Sequence, residues 1–226
     1  MAVNKTEALD KTALGKKESE QKIVIIDTGC ANISSVKFAV ERLGVTVTVS
    51  DDPQVILAAD KVFLPGVGSA SSAMNNIKQK QLVETIQQIT KPVLGICLGM
   101  QLMTEFSNEV PGSHIASNIT ESVDCLKLIP TEVSRMDTAD LVSPHMGWNQ
   151  IKVEQDNPLF AGIADGSYFY FVHSFCAPIS QYTLASCEYG QGFSAAIGNN
   201  NFYGVQFHPE RSGDAGATLL QNFIRM

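Results

Sequence analysis

The chain has 226 residues, 44% of them hydrophobic, which is enough to bury one sizeable core and leaves a second independent domain cramped. A formal net charge of −7, without any basic stripe to track phosphates, argues against nucleic acid or an anionic membrane as the main partner. Five cysteines, at 30, 97, 125, 176 and 187, form no C-x-x-C pair; this odd count suits free thiols in a reducing cytoplasm and neither a disulfide framework nor a zinc site. No apolar run approaches the ~18 residues of a membrane helix and no signal peptide opens the chain, so the expected location is cytoplasmic.

Residues 1–21 are polar and rich in Lys and Glu, and are expected to form a mobile tail ahead of one domain over 22–226. Lys22 to Asp27 reads as a buried strand. Ile33, Val36, Val40 and Leu43 then recur at helical spacing until Gly44 stops the helix, with Asn32 placed to cap it. Strands follow over Val45 to Ser50, Lys61 to Pro65 and Val93 to Ile96, with helices between them. That alternation predicts an α/β fold with a mostly parallel central sheet flanked by helices. From about Leu126 the pattern changes to short strands and hairpins, giving a β-rich C-terminal half with a turn at Asn199 to Asn201. Phe106 to Asp140 has no legible periodicity, and His114 within it is expected at the surface. Pro144 to Asn149 reads as a short loop that presents the only tryptophan, Trp148. Tyr168 to Phe175 reads as an aromatic core strand, and the last helix is expected from Ala215 to Ile224, opened by Gly213 and Asp214.

Chemistry concentrates at two places. Gly95-Ile96-Cys97-Leu98-Gly99 sets one cysteine between two glycines where a strand must turn into a helix, so Cys97 is expected in strained backbone. The first N–H of that helix, at Leu98, would point toward a negative oxygen forming beside the sulfur. A buried cysteine in a glycine-rich turn would give the same pentapeptide. A cysteine nucleophile needs a histidine, and the histidine a carboxylate. His208 ends the strand-like run Phe202 to Phe207, and Glu210, two residues on in an extended segment, would project to the same side.

Together, Gly95 to Gln101 and Gly204 to Glu210 resemble the class I, triad-type glutamine amidotransferases. The resemblance implies their flavodoxin-like fold, a triad of Cys97, His208 and Glu210, and hydrolysis of the glutamine side-chain amide through a thioester. It also matches Phe63 to Ser69 to the oxyanion strand of that family, and it implies no cofactor and no metal. Pro144 to Asn149, the His173-Ser174 end of the aromatic strand and Gly204 to Gly213 resemble one branch of the family, the glutaminase subunits of imidazole glycerol phosphate synthases, over about Lys22 to Met226. That branch passes ammonia to a (βα)8-barrel cyclase subunit, which makes imidazole glycerol phosphate and aminoimidazole carboxamide ribotide. By this resemblance Gly66, Val67, Gly68, Leu98, Gln101, Ser174 and Phe175 would surround glutamine or its oxyanion. Asn32, Met146, Trp148, Asn149 and Arg211 would face the cyclase. From the residues alone, Asn32 fits a helix cap, Trp148 a partly buried ring and Arg211 a solvated surface charge equally well. Two alternatives remain: a glutaminase of the anthranilate, guanylate or pyridoxal phosphate pathways, and a catalytically idle subunit that keeps the fold for binding.

Overall fold

The computed structural model describes residues 21–29, 32–109 and 122–226. Cys30, His114 and, apart from Gln21, the segment expected as a tail lie outside the described residues. The first half alternates strand and helix: β1 (Ile23–Ile26), α1 (Ile33–Glu41), β2 (Val47–Ser50), α2 (Pro53–Leu57), β3 (Lys61–Gly66), α3 (Ala70–Gln79), α4 (Val83–Gln87), β4 (Val93–Cys97) and α5 (Leu98–Leu102). Short strands follow: β5 (Phe106–Ser107), β6 (Val123–Asp124), β7 (Glu132–Arg135), β8 (His145–Gln150), β9 (Lys152–Val153), β10 (Tyr168–His173) and β11 (Phe175–Cys176). The chain closes with the long antiparallel pair β12 (Thr183–Tyr189) and β13 (Gln191–Asn199), then β14 (Phe202–Val205) and α6 (Gly213–Arg225).

The central sheet runs β2-β1-β3-β4-β14-β13-β12-β9. Its first five strands are parallel and its last three antiparallel. A parallel strand covered on both faces must be apolar on both faces, which is why β1 reads Ile-Val-Ile-Ile without alternation. Ile23 and Ile25 join one core with Phe63, Phe223 and α1, while Val24 and Ile26 join a second with α3, α4 and α5. The expected α/β class and β-rich second half are both present.

Three boundaries differ from expectation. The segment around Trp148 is the strand β8, not a loop, because each of its residues pairs with β10 from Tyr168↔Gln150 to His173↔His145. The run expected to continue to Phe207 leaves the sheet after Val205. The last helix begins at Gly213, ahead of Ala215, because the Gly216 N–H closes the first turn on the Ser212 carbonyl at 3.1 Å. The turn at Asn199 to Asn201 is found, with Asn200 at φ +54°.

Candidate active site

Cys97 is the last residue of β4, with φ +53° and ψ −112°, and α5 starts at the next residue. Positive φ is unfavourable for a side chain that bears a Cβ, so surrounding structure must hold it there. The glycines provide that hold by close packing. A Cβ on Gly99 would collide with the Leu64 carbonyl oxygen, and one on Gly95 would lie 2.7 Å from the Met100 nitrogen. Gly66 stands opposite Cys97 in the β3–β4 register, and a Cβ there would lie 2.9 Å from the Gly99 nitrogen. Gly66 is thus required for close approach, whereas Gly68 is required for its φ of +91°. The result is a cysteine only 9% exposed at the floor of a cavity of about 390 Å³.

His208 reaches the same cavity from just beyond β14, the strand beside β4. Glu210 does not sit in an extended segment as expected. Pro209–Arg211 form a single 3-10 turn, because the fixed φ of proline suits the first turn of a helix and not a continued strand. The turn still brings Glu210 Oε1 to 2.8 Å from His208 Nδ1, and the Glu210 side chain is 3% exposed. A carboxylate there selects the tautomer with the proton on Nδ1 and leaves Nε2 for chemistry. Nε2 makes no close hydrogen bond to any described residue. Burial alone would lower the His208 pKa, but interactions with Cys97 and Glu210 outweigh it and push the value up to about 10. Burial pushes the thiols of Cys125 and Cys176 up to about 11 and that of Cys187 to about 12, so they stay inert.

Two site residues carry no signal in the sequence. Gln206, fully buried, donates from Nε2 to the Cys97 sulfur at 3.8 Å and accepts at Oε1 from Gln101 Nε2 at 2.9 Å. Gln101 Nε2 also donates to the Phe175 carbonyl at 2.9 Å. Both hydrogens of the Gln101 amide are engaged inside the protein, so toward the cavity this side chain can only accept. Glu109 also lines the cavity, accepts from the Ala70 N–H at 2.9 Å, and has its pKa raised by burial. Gln206 stands two residues before His208 without any local pattern to mark it, and Glu109 borders a segment without periodicity.

Val67, Gly68, Leu98, Ser174 and Phe175 also line the cavity. The carbonyls of Ser174 and Phe175 are already engaged, by Met136 N–H and by Gln101 with His173. Asn32 occupies the N-cap position of α1 without a side-chain capping bond and lines the cavity together with Arg211. Its expected capping role is therefore not found. Met146 and Trp148 are 62% and 55% exposed on β8, with Tyr168 on the paired strand β10 at 55%. Asn149 lies on the same strand, with its amide turned inward to Glu188 and His145.

Cys97, His208 and Glu210 thus come together beside the C-terminal ends of the parallel strands β4 and β14. Residues 24–226 match the family model described as glutamine amidotransferase class-I. The chain belongs to the class I glutamine amidotransferases. It is 57% identical over 208 residues to imidazole glycerol phosphate synthase subunit HisH 1 of Vibrio vulnificus, covering 92% of this chain and 100% of that one. With the HisH subunit of Vibrio cholerae it shares 59% over 206 residues, covering 91% and 99%. Among solved structures, a putative GMP synthase component of Thermoplasma acidophilum superposes with TM-score 0.66 at 18% identity, over 91% of this chain and 92% of that one. PurLQS of Thermotoga maritima gives 0.64 at 16% identity, over 91% and 98%, and these two likenesses speak for the amidotransferase fold.

Proposed function

We propose that this amidotransferase is the glutaminase subunit of an imidazole glycerol phosphate synthase of histidine biosynthesis and that its chemistry takes place where Cys97, His208 and Glu210 meet. The observation that carries the reading is the buried His208–Glu210 pair at 2.8 Å beside a cysteine in strained backbone, in a chain 57% identical to a HisH subunit. The Cys97 sulfur attacks the carboxamide carbon of glutamine with its proton held on His208, whose raised pKa favours the imidazolium, and Glu210 stabilises that charge. The oxyanion of the tetrahedral intermediate rests on the N–H of Leu98 and on the Gly66-Val67-Gly68 strand end. His208 returns the proton to departing ammonia, leaving a thioester. Water activated by the same imidazole then hydrolyses the thioester to glutamate and the free thiol. Gln206 donates to the sulfur throughout. Glu109 receives the α-ammonium of the substrate, and Gln101 accepts a further N–H from it.

Ammonia passes to a (βα)8-barrel cyclase subunit bound across Asn32, Met146, Trp148 and Arg211, where Trp148 supplies the aromatic anchor; Asn149, expected on that surface, has its amide turned inward instead. Residues 22–226 form the working domain, the reaction needs no cofactor, and the location is the cytoplasm. The deciding experiment measures ammonia release from glutamine by the chain alone and with its cyclase partner and ribonucleotide substrate. A rate that is negligible alone and rises by orders of magnitude in the complex supports the reading. Equal rates in both would mean an independent glutaminase. Cys97→Ala should abolish glutamine hydrolysis but leave the complex able to use added ammonium; loss of both would sink the channelled-ammonia model.

A further inference from the structure

His145 and His173 are buried, lie outside the Cys97-His208-Glu210 constellation, and bond to one another: His145 Nδ1 and His173 Nε2 are 3.0 Å apart. Burial pushes their pKa values down to about 4 and about 3, so both rings are neutral at physiological pH. Neutrality makes their protons assignable. His173 Nδ1 lies 3.0 Å from the Phe175 carbonyl, which can only accept, so Nδ1 carries the proton and Nε2 has a lone pair. His145 must then donate from Nδ1, which leaves its own Nε2 as an acceptor for Asn149 Nδ2 at 3.2 Å. The Asn149 amide cannot turn over, since Nδ2 also donates to the Glu188 carbonyl at 2.9 Å and Oδ1 accepts from Gln150 N–H at 2.8 Å. Every donor in this chain faces one way, from β8 toward the cavity wall.

The Phe175 carbonyl at its end is the same atom that receives Gln101 Nε2. Gln101 is thereby turned so that its second N–H meets Gln206 Oε1, which leaves Gln206 Nε2 directed at Cys97. We propose that His145 and His173 are positioning residues for glutamine cleavage: with Asn149 they form a one-way hydrogen-bonded chain that fixes the Phe175 carbonyl and, through it, the orientation of Gln101 and Gln206 at the reacting sulfur. The proposal rests on the glutaminase reading above.

Packing alone would make different demands on His145. Its ring stacks between Phe171 and Tyr189, with centroids 4.9 Å and 4.1 Å away. His145→Phe keeps an aromatic ring in that slot and removes both polar atoms. His145→Gln loses the ring but keeps one donor and one acceptor, so it can continue the chain in the same direction. The two variants are compared in the full chain with its cyclase partner and ribonucleotide substrate, by kcat and KM for glutamine and by thermal midpoint. The expected result is a rise of about tenfold or more in KM for His145→Phe, which leaves the His173 Nε2 acceptor and one Asn149 N–H donor unsatisfied, with substantial recovery in His145→Gln even if its thermal midpoint is the lower of the two. A wild-type KM in His145→Phe, or a higher KM in His145→Gln than in His145→Phe, would overturn the proposal.

Imidazole nitrogen shifts of the isolated full chain, labelled with 15N-histidine, provide a measurement free of folding defects and of activity. Both rings should appear as neutral Nδ1–H tautomers from pH 5.5 to 8.5. A neutral Nε2–H form, or titration of either ring in that range, would overturn the chain of donors. A wild-type complex that fails to cleave glutamine would refute the glutaminase reading, while the tautomers would still judge the hydrogen-bonded chain.

Discussion

Acid should destabilise this fold through His145, and by a predictable amount. In the native state its pKa is lowered to about 4 by burial, while in the unfolded chain it returns to about 6.5. A histidine with a depressed native pKa contributes stability that is fully present above the unfolded value and is lost as pH falls toward the native value. Below about pH 6.5 the unfolded state therefore takes up a proton that the folded state refuses, and stability falls with slope 2.303RT per proton. Integrated from pH 7.5 to 5, this removes about 2 kcal/mol for His145. The magnitude is governed mostly by the unfolded value, because the native value lies well below pH 5. His173, with its pKa near 3, adds a similar amount. His208 acts oppositely: with its pKa raised to about 10, its contribution is complete below about 6.5 and is lost as pH climbs toward 10, so it grows on acidification. A wild-type measurement alone would mix these effects. The isolating comparison is wild type against His145→Gln, by urea unfolding followed by circular dichroism at pH 7.5 and pH 5. The variant should lose about 2 kcal/mol less than wild type between the two pH values, whatever its absolute stability. Equal losses would refute the assignment of a neutral, buried His145.

Gly99→Ala should be among the most damaging single-methyl changes in the chain, because its Cβ would run into the Leu64 carbonyl oxygen of a central strand. A loss of about 3 kcal/mol or more in urea unfolding, or failure to fold, is expected, and wild-type stability would contradict this close packing. Gln206→Leu removes the donor to the Cys97 sulfur at 3.8 Å and the acceptor for Gln101, and should lower kcat/KM for glutamine by about tenfold to a hundredfold. Unchanged kcat/KM would dismiss Gln206 from the site. Trp148→Ala should leave the thermal midpoint of the isolated chain nearly unchanged, since the ring is 55% exposed, yet weaken cyclase binding by about tenfold or more in a calorimetric titration. Equal affinity would move the docking surface elsewhere.

Where sequence and structure part, the reason is the range of the interaction. The elbow at Cys97 is legible because glycine spacing and the strand-to-helix change are local, and both follow from steric limits within a few residues. His208 and Glu210 are legible as a pair for the same reason, although from sequence the segment that joins them reads as extended. Proline signals the end of the strand, and its fixed φ also starts the 3-10 turn. Around Trp148, Gly147 and Pro144 suggest a loop. Pairing with β10 overrides that local preference, since a strand partner supplies the hydrogen bonds a loop would owe to water.

By itself, then, the sequence singled out Cys97, His208 and Glu210 as the proposed nucleophile, base and carboxylate, and determined the parallel α/β frame. Runs of apolar residues and close glycines permit few other solutions. Only the tertiary structure decided which polar side chains meet. Gln206 touches Cys97 across 109 residues, and Gln101 meets Gln206 across 105. Asn149, His145, His173 and Phe175 come into line only because β8 pairs with β10 and the segment after β10 crosses to the wall of the cavity. Hydrogen bonds of that kind leave no periodic trace, because they depend on the direction of single donors and acceptors that the packed core, and not the neighbouring sequence, brings to about 3 Å.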